Sequence, residues 1–138
     1  MSEPRWLTPA VVRALHTEAV VQFGGLPGLR DEGLLESALA RPRQILAYGN
    51  DPDLFAFAAA YATGIFRNHP FVDGNKRAGV LAVAVFLHLN GWRFDPEEAD
   101  EVRRIYAAAA GDIDEPALAA WIKANSTPRE TDWNSPGC

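Results

Sequence analysis

The residues best suited to chemistry lie in one run, His69-Pro70-Phe71-Val72-Asp73-Gly74-Asn75-Lys76-Arg77. Histidine is the side chain whose charge changes between pH 5 and 8, which suits His69 to act as a general base that takes a proton from a hydroxyl nucleophile. Asp73 suits Mg²⁺, a hard cation that needs only one or two carboxylates when phosphates and water complete its shell. Gly74 lets backbone approach a ligand closely. Asn75, Lys76 and Arg77 open an apolar helical stretch, and the first turn of a helix offers unpaired N–H groups to an anion. Cations there oppose the helix dipole at roughly 0.3–1 kcal/mol each, so folding alone does not call for them. A multiply charged phosphate would, and Arg can grip two of its oxygens. Base, metal carboxylate, anion cradle and Arg together point to phosphoryl or nucleotidyl transfer. Singly, each has a plainer role: Asp73-Gly74 is a common turn, Asn75 a good N-cap, and His69 an ordinary surface or packed histidine. The combination, set between two apolar stretches, is what favours a phosphate site.

Those two stretches must hold the run in place. Residues 54–67, opened by Asp53 as N-cap, and residues 75–89 read as helices that are apolar on nearly every face. Such helices are central and buried. Gly79, about 1 kcal/mol worse than Ala inside a helix, is assigned to the anion site as well. Phe71 is expected to anchor the loop by burial, and Tyr61 and Phe66 to be core.

Upstream, Thr8-Pro9 is an N-cap with Pro at N1, and Val11, Val12, Leu15, Ala19 and Phe23 form a helical stripe. His16 lies on or near that stripe and is read as structural. Gly24-Gly25-Leu26-Pro27-Gly28 turns the chain; no strand precedes it, as a dinucleotide fingerprint would require. Asp31 caps a short helix through Leu34, Leu35, Ala38 and Leu39, which Arg41-Pro42 should stop. Residues 43–50 are then irregular. Downstream, Asn90-Gly91 ends the motif helix and Trp92-Arg93-Phe94 alternates like a short extended piece. Asp95-Pro96-Glu97-Glu98 starts a helix with Pro96 at N1 and with Val102, Ile105, Tyr106 and Ala109 on its buried side. Asp114-Glu115-Pro116 opens a last helix through Leu118, Trp121 and Ile122. The expected fold is all-α, with about six or seven helices around two central ones. It forms a single domain over residues 1–124. Residues 125–138 are polar, with Pro128, Pro136 and Gly137, and read as a disordered tail in which Trp133 is the one large apolar side chain.

Composition narrows the partners. With 48% apolar and 22% charged residues, the 138-residue chain fits one globular domain. A net charge of −5 disfavours non-specific nucleic-acid binding. Cys138 is the sole cysteine, so no disulfide forms within the chain, and His16, His69 and His88 lack zinc-ligand spacing. The first residues carry no signal-peptide pattern. The longest apolar run, residues 78–87, falls short of the ~20 that span a bilayer. A reducing cytoplasm, away from membranes, is the expected location.

The run from His69 to Arg77 resembles the signature of the Fic/Doc superfamily, H-P-F-x-D/E-G-N-G/K-R. Residues 24–42, with Gly-Gly-Leu-Pro-Gly-Leu-Arg-Asp at their start, resemble the Doc (death-on-curing) branch. The resemblance extends from about Leu7 to Ile122. It implies a helical Fic/Doc-type domain in which His69 is the base and Asp73 holds Mg²⁺. Gly74, Asn75, Lys76 and Arg77 would bind the phosphates of ATP, and Phe71 would be the packing anchor. For residues 43–50, spacing leaves an ordinary loop and a flap equally open; the resemblance implies a flap, where a target segment pairs by its backbone. Lys76, where adenylylating members have Gly, is the Doc-like choice. It implies transfer of the γ-phosphate to a Ser or Thr hydroxyl of a translation factor such as elongation factor Tu. Gly74 is shared with adenylylating members, which keeps AMP transfer as the second reading. A catalytically idle, nucleotide- or partner-binding fold is the third, and the intact His69, Asp73 and Arg77 disfavour it. The family's inhibitory segment, S/T-x-x-x-E-G/N, has its nearest match at Ser126 to Glu130, which is followed by Thr131 and interrupted by Pro128. The resemblance therefore implies a separate antitoxin that supplies this segment.

Overall fold

The structure, a computed structural model, describes residues 3–130. Six helices occur in chain order: α1 (Pro9–Phe23), α2 (Glu32–Tyr48), α3 (Leu54–Asn68), α4 (Asn75–Leu89), α5 (Glu98–Ala110) and α6 (Glu115–Ala124). Two short strands, β1 (Trp92–Phe94) and β2 (Ser126–Pro128), complete the described chain. The all-α class expected from the sequence is what is found.

Caps fix most helix starts. The side chains of Thr8, Asp31, Asp53 and Asp114 accept from the backbone N–H groups of Val11, Leu34, Ala56 and Ala117. Each satisfies a donor that the first helical turn would leave unpaired. Helix α5 departs from the expected pattern. Its N-cap is Glu97, without a side-chain bond, so Pro96 lies ahead of the helix rather than at N1.

Helix α3 is the centre of the fold. Every residue from Phe57 to Phe66 is buried, because α2, α4 and α6 all pack on it. Helix α4 is less enclosed than its apolar sequence suggests. Ala78, Gly79, Ala82, Val83, Phe86 and Leu87 face the core, whereas Val80, Leu81 and Ala84 wall an open cleft. Gly79 has a packing role. A Cβ there would collide with the Phe66 ring of α3, so close approach of α3 and α4 explains a residue that the sequence assigned to an anion. Gly64 acts alike between α3 and α2, where a Cβ would lie 3.0 Å from the Ala38 Cα.

Three further expectations are corrected. Arg41-Pro42 does not end α2, which continues to Tyr48 with Pro42 inside it. The Pro42 ring is fully buried, and that packing offsets the missing N–H donor. Residues 43–48 are consequently helical, and no flap forms from residues 43–50. Residues 126–128 are a strand rather than disordered. Strand β2 pairs antiparallel with β1 in the register Trp92↔Pro128, Arg93↔Thr127, Phe94↔Ser126. Polar residues suffice here, because the backbone ladder does the pairing and β1 supplies the aromatic face: Trp92 meets Phe55, and Phe94 meets Trp121. Residues 131–138 of the expected tail, Trp133 included, lie outside the described residues. Finally, Val102 and Tyr106 of α5 are exposed; Ile105 alone of the four expected positions is buried.

Candidate active site

The motif loop joins the end of α3 to the start of α4. His69 is the C-cap of α3, with φ 48° and ψ 57°, and its N–H donates to the Ile65 carbonyl at 3.1 Å. A residue with a Cβ enters this left-handed region at a cost of order 1–3 kcal/mol, so its surroundings must hold it there. Its side chain is exposed. Phe71 points inward, 2% exposed, and its ring stacks on the buried His16 imidazole with centroids 3.9 Å apart. The Phe71 ring is thus packed beneath the loop. His16 does more than pack: its Nε2 donates to the Asp73 carbonyl at 2.7 Å, bracing the loop from below.

Asp73 is exposed and its carboxylate is held by backbone. Oδ2 accepts from Leu26 N–H at 3.0 Å and Oδ1 from Gly74 N–H at 2.9 Å. These two bonds, Leu26 first, hold its pKa below the ordinary carboxylate value of 3.8, against a smaller opposing effect of burial. Asp73 is therefore ionised at neutral pH, and each oxygen keeps a lone pair for a cation. Among the described residues no three His, Cys, Asp or Glu side chains gather into a metal site. One carboxylate fits Mg²⁺ only when a bound phosphate chain supplies further oxygens.

Gly74, with φ 75°, is the N-cap of α4 and gives no side-chain cap bond. The first N–H groups of α4 are consequently without a cap, and no acidic residue occupies the first turn. Lys76 and Arg77 project from this end and rest on aromatic faces. The Lys76 Nζ lies 5.1 Å from the Tyr106 ring centroid, and the Arg77 guanidinium carbon 4.2 Å from that of Phe23. Ring quadrupoles attract cations in this way. Asn75 is used differently from expectation. Its side chain accepts from Phe71 N–H at 3.1 Å and donates to the Phe71 carbonyl at 3.0 Å. It clamps the loop, and only its backbone N–H is left free of that clamp at the helix start.

The start of α4 borders two clefts. A cleft of about 600 Å³ lies on the Arg77 side, walled by Val80, Leu81, Phe94 and Ile105. A cleft of about 430 Å³ lies on the His69 side, with Phe66, Val72 and Ala109. Asp73, Gly74, Asn75, Lys76 and Tyr106 border both. Glu101 of α5 also lines the larger cleft, and burial, then the nearby Glu98, push its carboxyl pKa up.

Sequence reasoning missed the partner of this loop. Residues 24–31, read as a turn and a cap, run alongside it. Val72 N–H donates to the Gly28 carbonyl at 3.0 Å, Arg30 N–H and Asp31 N–H donate to the Pro70 carbonyl, and Leu29 bridges Phe71 antiparallel. Residues 28–31 thus pair by their backbone with the motif loop, within the chain itself. The glycine spacing was the available signal: Gly24, Gly25 and Gly28 all have positive φ.

The Fic/DOC family profile matches residues 6–87, a span that holds α1, the 24–31 segment, α3, the motif loop and most of α4. This chain belongs to the Fic/DOC family. It is 37% identical over 121 residues to the "Protein kinase doc" of Escherichia phage P1, an alignment covering 86% of this chain and 94% of that protein. It is 41% identical over 104 residues to the "Toxin Doc" of Mycolicibacterium smegmatis, covering 71% and 79% respectively. The Fic/DOC profile ends at residue 87, so α5, which carries Tyr106 and Glu101 to the clefts, lies beyond it. No helix among the described residues is long and apolar enough to cross a membrane.

Proposed function

We propose that this protein is a Doc-type toxin that transfers the γ-phosphate of ATP to a Ser or Thr hydroxyl of a target protein. The observation that carries this reading is the division of space around the α4 start. His69 lines only the smaller cleft, whereas the larger one has the apolar walls that suit a nucleoside. A nucleotide seated in the larger cleft runs its phosphates across the uncapped N–H groups, Lys76 and Arg77, and presents its terminal phosphorus nearest His69. The target hydroxyl enters by the smaller cleft.

The residues then divide the work. His69 accepts the hydroxyl proton as the oxygen attacks the γ-phosphorus; the bond to the bridging oxygen breaks and ADP leaves. Lys76, Arg77 and the helix start hold the charge that spreads over the phosphate oxygens. Mg²⁺, held by Asp73 and the phosphates, would neutralise charge on the leaving oxygens. Gly74 has a local reason in its φ of 75° that does not depend on which phosphorus is attacked. Its presence is therefore compatible with a kinase. The name "Protein kinase doc" of the phage relative supports the same chemistry. The resemblance of the motif to the Doc branch extends the proposal to a translation-factor target such as elongation factor Tu, and to a separate antitoxin that restrains the enzyme in the cytoplasm. Ser126 to Pro128 are extended in β2 rather than helical, which agrees with an inhibitory helix supplied in trans.

The deciding experiment uses ATP labelled at either the α- or the γ-position, with a bacterial lysate as target source. Label retained on protein from the γ-sample alone is expected, and His69→Ala should slow its transfer about 10²–10⁴-fold while ATP binding, read by calorimetry, persists. Retention from the α-sample alone would replace the kinase with an adenylyltransferase. Retention from neither would point to an idle binding fold.

A further inference from the structure

His69 holds a backbone conformation that α3 does not impose by itself. Past the last helical turn, carbonyl groups lose their intrahelical partners, and the chain must enter the left-handed region at a residue that is not glycine. One neighbour takes up the slack. Arg30 donates from Nε to the His69 carbonyl at 2.7 Å and from a terminal nitrogen to the Asn68 carbonyl at 2.8 Å. Its own backbone N–H donates to the Pro70 carbonyl at 2.7 Å. Three successive carbonyls, before, at and after the motif's first residue, are thus held by one residue of the 24–31 segment. A guanidinium presents donors in a rigid fork, which a lysine ammonium does not. Its charge also complements the C-terminal end of the α3 dipole. Arg30 is exposed, so the contact does not serve to fill the core.

We propose that Arg30 is a positioning residue for the His69 base: its fork fixes the peptide planes on both sides of His69 and so aims the imidazole at the smaller cleft. This rests on His69 acting as the base, whichever phosphorus is attacked. The phosphate cradle begins beyond Asp73, so Arg30 acts on the transfer step and leaves nucleotide binding alone.

The test uses the full chain with Arg30→Met, which keeps the stem and removes the donors, and Arg30→Lys, which keeps a charge without the fork. Transfer is followed with ATP labelled at both the α- and γ-positions, so the outcome does not depend on the group moved. Arg30→Met should slow transfer about 10²-fold, the scale of a ~1 Å misplacement of a reacting group. Its apparent KM for ATP should be unchanged, and Arg30→Lys should recover only part of the rate. Combined with His69→Ala, Arg30→Met should cost nothing further, because both act through one group. A second readout needs no activity: the His69 imidazole proton resonance, assigned through His69→Ala, should shift or broaden in Arg30→Met while that of His88 stays in place. A wild-type rate in Arg30→Met, additivity with His69→Ala, or an unmoved His69 resonance would each overturn the proposal. If Arg30→Met fails to fold, the resonance in Arg30→Lys decides. If the wild type transfers neither label, the functional reading fails, and the resonance still decides whether Arg30 positions His69.

Discussion

Replacing Asn75 by Ala separates a clamp from a ligand. Both polar atoms of the Asn75 side chain are spent on the Phe71 peptide, at 3.1 and 3.0 Å. The substitution deletes two hydrogen bonds worth about 1 kcal/mol each and leaves the part-buried Phe71 N–H without a partner, which adds roughly 1 kcal/mol or more. The loop has no easy way to recover by turning to water. The Phe71 ring is 2% exposed and stacked on His16, so releasing its backbone would expose the ring. The expected loss is therefore about 2–4 kcal/mol. For a chain of this length that corresponds to a fall in Tm of roughly 6–20 °C. A thermal melt of the nucleotide-free protein, followed by circular dichroism, measures it, and calorimetry with ATP-Mg²⁺ measures binding on the same sample. Asn75→Asp should be comparably harmful at neutral pH, because a carboxylate would face the Phe71 carbonyl. It should improve as the pH falls and the new carboxyl is protonated. An unchanged Tm together with lost ATP binding in Asn75→Ala would refute the clamp and return Asn75 to the role of direct phosphate ligand.

Truncation after Asn125 should lower the Tm, because it removes β2 and the bonds from Arg129 N–H to the Gly91 carbonyl and from Arg129 Nε to the His88 carbonyl; an unaltered melt would show β2 to be dispensable. Gly79→Ala gains about 1 kcal/mol of helix propensity but drives a Cβ into the Phe66 ring, an overpacking of roughly 1–3 kcal/mol. It should be net destabilising in urea titrations and relieved by Phe66→Leu, and a stabilised single variant would argue for an anion-site role instead. Asp73 has a folded pKa lowered from 3.8 by Leu26 and Gly74 N–H, so its contribution is present above 3.8 and lost as the pH falls through the lowered value. The stability difference between wild type and Asp73→Asn should accordingly shrink on acidification through that window, and a constant difference would mean that the two backbone bonds do not favour the carboxylate.

Local chemistry was legible from the sequence because its causes are local. The caps at Thr8, Asp31, Asp53 and Asp114 bond N–H groups three residues on, a distance any reader of the chain can count. The motif residues are consecutive, so His69, Asp73 and the cations had to share one loop wherever that loop lay. The long apolar stretch 54–66 foretold a central α3 for the same reason: no face of it could be left in water.

Tertiary structure decided what those residues do, because their partners are far away in sequence. Pro42 stays helical and Gly79 is required only because of side chains packed against them, Phe66 in the case of Gly79. The polar run after Asn125 is a strand because β1 offers it a backbone edge, and hydrophobic pattern carries no information about a ladder built from main chain. Asn75 looked like a phosphate ligand until its amide was seen to be spent on Phe71. His16, Leu26 and Arg30 hold the motif across 39 to 57 residues of chain. Sequence spacing carries no trace of contacts that long, since they exist only once α1 and α3 have brought residues 24–31 beside the loop.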